Sequence, residues 1–135
     1  MRRMVTAGFL AVGLAGMTGA VHAHHAFAAE FDSRRPVRFK GVLTHMEWVN
    51  PHSWLHVDVK KPDGTVESWA VEAGTPNTLF RRGITRQTLQ VGVEIVVDGY
   101  QAKNGSRRAN GRDITFPDGR KFFLGGSPSE GAPSG

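Results

Sequence analysis

The sequence predicts a small, mainly β domain, an OB-like barrel of five to six strands with one short helix after the third strand. Three observations predict it. Apolar residues alternate with polar ones in several short runs, the period of a half-buried strand. Turn residues punctuate those runs at Asn50-Pro51, Lys61-Pro62-Asp63-Gly64 and Pro117-Asp118-Gly119. The first strand is long and bent, and a helix start follows the third, which is the order of an OB-type barrel. Closing the sheet also removes the exposed edges that so many strands would otherwise present. A strongly twisted open sheet or a small sandwich is the alternative.

The chain starts with a different kind of segment. Arg2 and Arg3 precede an apolar run from Met4 to Val21, and Val21 and Ala23 are small residues at the positions a signal peptidase reads. Residues 1–23 are therefore expected to be a signal peptide, with cleavage at Ala23/His24 and a periplasmic or secreted product. Gly8, Gly13, Gly16 and Gly19 interrupt the run, so it reads as a removed signal and not as a retained membrane anchor. Residues 24–36 lack a clear period and close at Pro36. They read as an extended arm with Phe27 and Phe31 as docking points. Residues 37–124 are the barrel, and residues 125–135 form a disordered tail of Gly, Ser and Pro.

Within the barrel, Val37 and Phe39 alternate with Arg38 and Lys40, and the parity slips near Gly41, since Val42, Met46 and Trp48 fall on the other face. A glycine at a parity change suggests a bulge or sharp bend. Leu55, Val57 and Val59 alternate with Trp54, His56 and Asp58. Past the turn at Gly64, Trp69 and Val71 point inward, opposite Ser68, Ala70 and Glu72. Thr75-Pro76-Asn77 has an N-cap followed by proline at the first helical position, Leu79 and Phe80 would dock that helix, and Gly83 would end it. Thr85 caps a second short turn through Leu89. Val93, Ile95 and Val97 mark a strand that runs to Tyr100. Lys103 to Gly111 reads as a long polar loop. Ile114 and Phe116 lie in another strand, and Lys121 to Leu124 returns beside it.

Composition narrows the functional classes. The chain has 135 residues, enough for one modest core, and a formal charge of +5, two units of which are Arg2 and Arg3. The remaining excess is mild and makes no case for a nucleic-acid binder. There are no cysteines, which excludes disulfides, thiolate metal sites and a lipid-modified N-terminus.

Two stretches carry a resemblance: His24-His25-Ala26-Phe27-Ala28-Ala29-Glu30-Phe31-Asp32 and Glu47-Trp48-Val49-Asn50-Pro51-His52. With Gly74-Thr75-Pro76-Asn77 and Leu79-Phe80-Arg81-Arg82-Gly83, they resemble a family of exported bacterial proteins with a domain of unknown function. The resemblance implies export and a small β-rich domain, and it carries no catalytic residues. Separately, Leu89-Gln90-Val91-Gly92 followed by Glu94-Ile95-Val96-Val97-Asp98-Gly99 is similar to the approach to the fourth strand in periplasmic bacterial OB-fold proteins.

Chemistry is best defined at the terminus that cleavage would create. His24 would offer its α-amine and its ring Nδ1 to one metal ion, closing a small chelate ring. His25 or His52 would supply a third nitrogen. Nitrogen-rich sites favour Cu(II), which heads the affinity order of the divalent first-row metals. The amine must lose its proton to bind, and its reference pKa of about 7.7–8.0 allows that near neutral pH. The sequence thus proposes His24, His25 and His52 as copper ligands. The plainer alternatives are a junction that merely tolerates histidine, and an Asn50-Pro51-His52 turn in which His52 hydrogen-bonds locally.

The other candidates rank below these. If Trp48 pairs with Ser53, then His45 lies opposite His56, close enough to share a metal. Two exposed strand histidines is the simpler account. Arg107, Arg108, Arg112, Arg120 and Lys121 form the most basic stretch. It reads as a solvated loop, or else as a contact for anions or acidic lipid, and no aromatic ladder interleaves it as base stacking would need. No serine sits in a nucleophile elbow. Glu47, Asp58, Glu67 and Glu72 read as solvated strand carboxylates. The expectation is a binding protein and not an enzyme, with an unidentified protein or small ligand as partner. The competing expectation is an envelope interaction or structural module without metal.

Overall fold

A computed structural model describes residues 27–125. The protein is mainly β, with six strands among the described residues: β1 Phe31–Glu47, β2 Trp54–Lys60, β3 Val66–Glu72, β4 Glu94–Ala102, β5 Arg108–Thr115 and β6 Lys121–Phe123. Between β3 and β4 the helix α1 covers Pro76–Arg81. No helix among the described residues is long and apolar enough to cross a membrane. The signal peptide with its junction and nearly all of the predicted tail lie outside the described residues.

β1 organises the sheet because it is long enough for two partners. Its first part, from Phe31 to Val42, pairs antiparallel with β4, and its last part, from Val42 to Glu47, pairs antiparallel with β2. β2 pairs antiparallel with β3, β4 with β5, and β5 with β6. Parallel pairing of Ala70, Val71 and Glu72 with Arg108, Ala109 and Asn110 joins β3 to β5. The hydrogen bonds therefore form a ring through β1, β2, β3, β5 and β4. β6 continues along the flank of β5 beyond β3.

The bend in β1 divides between two places. Gly41 is where the strand crosses closest to β2, since a Cβ there would stand 2.5 Å from the Asp58 carbonyl oxygen. The bulge itself comes later, between Leu43 and His45. Leu43 keeps the parity of Phe39 and is fully buried, whereas Val42 is 39% exposed. The inward residue is thus Leu43 and not Val42, and the parity changes at Thr44. Thr44 takes up the irregularity by donating its hydroxyl to the His56 carbonyl oxygen at 3.2 Å.

The turn after β2 follows its composition. Gly64 takes a positive φ of 87°, and Asp63 accepts from the Thr65 amide at 2.9 Å and from its hydroxyl at 2.6 Å. At α1, the Thr75 hydroxyl accepts from the Thr78 amide at 3.1 Å, and Leu79 is fully buried. Removing that cap with Thr75→Ala is expected to cost about 1 kcal/mol. A urea unfolding midpoint unchanged from the parent would count against the cap.

Two expectations change. Residues 27–30 are helical, and Phe31 to Pro36, the rest of the arm that is described, are extended and already belong to β1. Phe31 is 2% exposed, and Phe27 packs against it and edge-on to Tyr100, with ring centroids 5.9 Å apart in both cases. The polar loop ends early, because Arg108 to Gly111 already belong to β5. Gly99 and Gly111 explain this composition. A Cβ on Gly99 would stand 2.2 Å from the Asn110 carbonyl oxygen, and one on Gly111 would stand 2.6 Å from Leu124 and 2.8 Å from Val71. Residues that look like a loop are there because strands meet too closely for side chains.

The core lies inside the ring. Leu43, Leu55, Val57, Val71, Ile95, Val97 and Ile114 are fully or nearly fully buried, and Leu79 and Leu124 close it from α1 and from the end of β6. Val71 joins this core. Trp69 is half-buried and stacks on Phe39, with centroids 4.7 Å apart.

Candidate functional site

Ser53, Leu55 and Val57 are fully buried. Alternation then sends His52, Trp54 and His56 to the opposite, outer side of the sheet. Trp54 is the register partner of Glu72 on β3, and Glu72 is in turn the partner of Asn110 on β5. The loop between β1 and β2 folds over the end of β3 and brings His52 onto Glu72.

The contact is direct: His52 Nδ1 meets Glu72 Oε1. Glu72 was expected on a solvated face, but its side chain is only 8% exposed, while that of His52 is 45% exposed. A buried carboxylate needs a donor, and the imidazole N–H provides one. This bond of His52 reaches beyond its own turn. Its partner lies 20 residues away. With Nδ1–H committed to the carboxylate, the lone pair of the neutral ring is on Nε2.

Next to it, the Arg108 guanidinium lies 4.9 Å above the Trp54 ring and pairs with Glu30 at 2.7 Å. The Lys103 amide donates to the Glu30 carbonyl oxygen at 2.9 Å. The segment that leads out of His24 and His25 is therefore tied to the rim that holds His52. His24 and His25 themselves lie outside the described residues. Among the described residues, no three side chains of His, Asp or Glu group around one point as a metal would require.

Each member of the basic stretch has an acidic partner. Arg107 reaches Glu67 at 3.6 Å, Arg112 and Lys121 reach Asp113 at 2.9 and 3.5 Å, and Arg120 reaches Asp118 at 2.7 Å. Arg112 and Lys121 share Asp113, and Arg107 shares Glu67 with Lys61, so the stretch is paired with acids but keeps an excess of positive charge. The backbone amide of Arg120, and then its guanidinium, hydrogen-bond the Asp118 carboxyl and hold it below the usual carboxylate range.

On the hairpin, His45 and His56 are direct partners across β1 and β2. Their ring centroids are 5.4 Å apart, and His56 Nε2 meets Glu47 Oε2 at 2.9 Å. Sequence reasoning named His52, His45 and His56 but missed Glu72 as a partner. A glutamate ending a strand beside a histidine-bearing loop is the only trace of that contact in the sequence.

No curated protein matches the chain. A model for a family of unknown function (DUF6152) matches residues 11–111, a span that includes both stretches on which the resemblance rests.

Proposed function

The chain belongs to DUF6152, a family of unknown function, and on that premise we propose that it is an exported binding protein that takes Cu(II) at its processed N-terminus. His24 supplies its α-amine and ring nitrogen, and His25 or His52 completes the set. The basic start and apolar run up to Ala23 support export. The fold we read as an OB-like barrel. The supporting feature is the strand order round the ring, with antiparallel neighbours on both sides of β1 and a parallel β3–β5 contact.

The observation that carries the metal reading is the His52–Glu72 pair. Histidines that bind metals commonly donate their second ring N–H to a carboxylate, which fixes the tautomer and makes the free nitrogen a better donor. His52 has that partner, and its ring is accessible from solvent. Chain reach agrees with it. His25 is five residues from Glu30, so it stays within about 18 Å of a side chain tied to the Trp54 rim.

The test is a Cu(II) titration of the processed protein against a form with one extra residue before His24. The extension moves the free amine off His24, and copper affinity is expected to fall at least tenfold. His52→Ala is expected to weaken binding severalfold in the processed form alone. Equal affinities with and without the extension would overturn the proposal. Intact mass under native conditions reports the cleavage site and the bound metal together.

A second reading, an envelope interaction module in which the histidines are bystanders, draws on one other feature. Trp48 and Phe80 stack with centroids 5.3 Å apart, and Phe80 and Val49 are both exposed. A processed chain that takes no copper, and that loses a protein partner when Phe80 becomes serine, would favour this reading.

A further inference from the structure

The β1–β2 hairpin carries a second pair of nitrogen donors that owes nothing to the N-terminus. His45 and His56 face each other across the ladder with ring centroids 5.4 Å apart. Metal–nitrogen bonds of about 2.0–2.1 Å, extended by about 1.1 Å to each ring centre, put two imidazoles on one tetrahedral ion with centroids roughly 5.2 Å apart. The pair is therefore already spaced for one ion. Both rings hang from adjacent strands as direct cross-strand partners.

Glu47 prepares one of the two rings. His56 Nε2 donates to Glu47 Oε2 at 2.9 Å. A neutral His56 with Nε2–H committed to Glu47 presents its lone pair at Nδ1. The carboxylate also leaves a negative charge beside the pair. The arrangement repeats the His52–Glu72 logic at a separate place on the same sheet face. Side-chain exposures of 38% for His56 and 43% for Glu47 leave the approach open to solvent.

We propose that His45 and His56 form a divalent transition-metal site on the outer face of the hairpin, with Glu47 as the residue that positions His56. Imidazole pairs suit Zn(II), Ni(II) and Cu(II), with Cu(II) bound most tightly. Among the described residues no third side chain of metal-binding type joins them at one point. Water fills the remaining positions, and the ion exchanges freely with solvent, unlike one in a closed structural site. This site needs neither cleavage nor His24.

The test uses Zn(II), which is diamagnetic and leaves imidazole nitrogen resonances readable. The sample is the processed full chain, compared with the form extended by one residue before His24. Addition of Zn(II) is expected to shift the His45 and His56 ring nitrogens together, with the same midpoint in both forms. His45→Ala is expected to weaken the His56 response at least tenfold while leaving the metal-free unfolding midpoint near that of the parent. Glu47→Gln is expected to weaken it severalfold and to change the His56 tautomer signal. Rings that do not move at millimolar Zn(II), or a His56 response unaffected by His45→Ala, would overturn the site. A His56 response that survives the extension while the tightest copper affinity falls at least tenfold would leave both proposals standing as separate sites. Loss of the His56 response on extension would overturn its independence from the terminus.

Discussion

Leu43→Ala is expected to destabilise the protein by about 3 kcal/mol, whereas Val42→Ala one position earlier is expected to cost less than about 1 kcal/mol. Leu43 has no exposed surface and touches the centre of the core, so truncation leaves a cavity that the two flanking strands cannot close. Val42 is 39% exposed on the other face. The contrast tests where β1 changes parity. With the bulge at Thr44, the inward set is Phe39, Gly41 and Leu43. With the slip at Gly41, Val42 would point inward and the two costs would reverse. Urea unfolding midpoints of the two variants decide between these, because both remove only aliphatic carbon. A larger loss for Val42→Ala would place the bulge wrongly.

Gly99→Ala is expected to cost about 2–3 kcal/mol, a steric effect of forcing an atom into a filled space. In a domain of this size, that lowers the thermal midpoint by roughly 8 °C or more. The added Cβ would stand 2.2 Å from the Asn110 carbonyl oxygen and 3.1 Å from its carbonyl carbon. Those are backbone atoms of the paired strand, so no change of rotamer relieves the clash. β4 and β5 have to move apart at the register where β5 also meets Glu72 of β3. Gly111→Ala presses mainly on the Leu124 and Val71 side chains. These can turn aside, and a smaller loss of about 1 kcal/mol is expected. A Gly99→Ala protein as stable as the parent would show that the ring does not close as tightly as described.

Where the two levels of reading agree, the information is local. Lys61-Pro62-Asp63-Gly64 announces its turn because proline presets one dihedral and glycine supplies the positive φ. The opposition of His45 and His56 follows once Trp48 is set against Ser53, since a hairpin register propagates residue by residue. Where the readings part, the contacts are distant in sequence. Arg108 to Gly111 reads as loop because small and polar residues are ambiguous without the strand that crowds them. Glu72 reads as solvated because nothing within β3 reveals that His52 folds over it from another loop. From sequence the slip in β1 falls at Gly41, because glycine is a familiar sign of a bulge. Thr44 is less conspicuous, and its role depends on a carbonyl in the neighbouring strand.

The sequence by itself determined the mainly β character, the hairpin turns and the face on which the strand histidines stand. These depend on alternation of period two and on turn residues, both expressed within a few positions of the chain. Only the tertiary structure decided that β3 meets β5, that each member of the basic stretch reaches a carboxylate, some of them shared, and that His52 rests on a buried carboxylate. Those outcomes depend on which backbones can approach each other closely. Their trace in the sequence is a few glycines and isolated charges, which look the same in a loop as in a seam between strands.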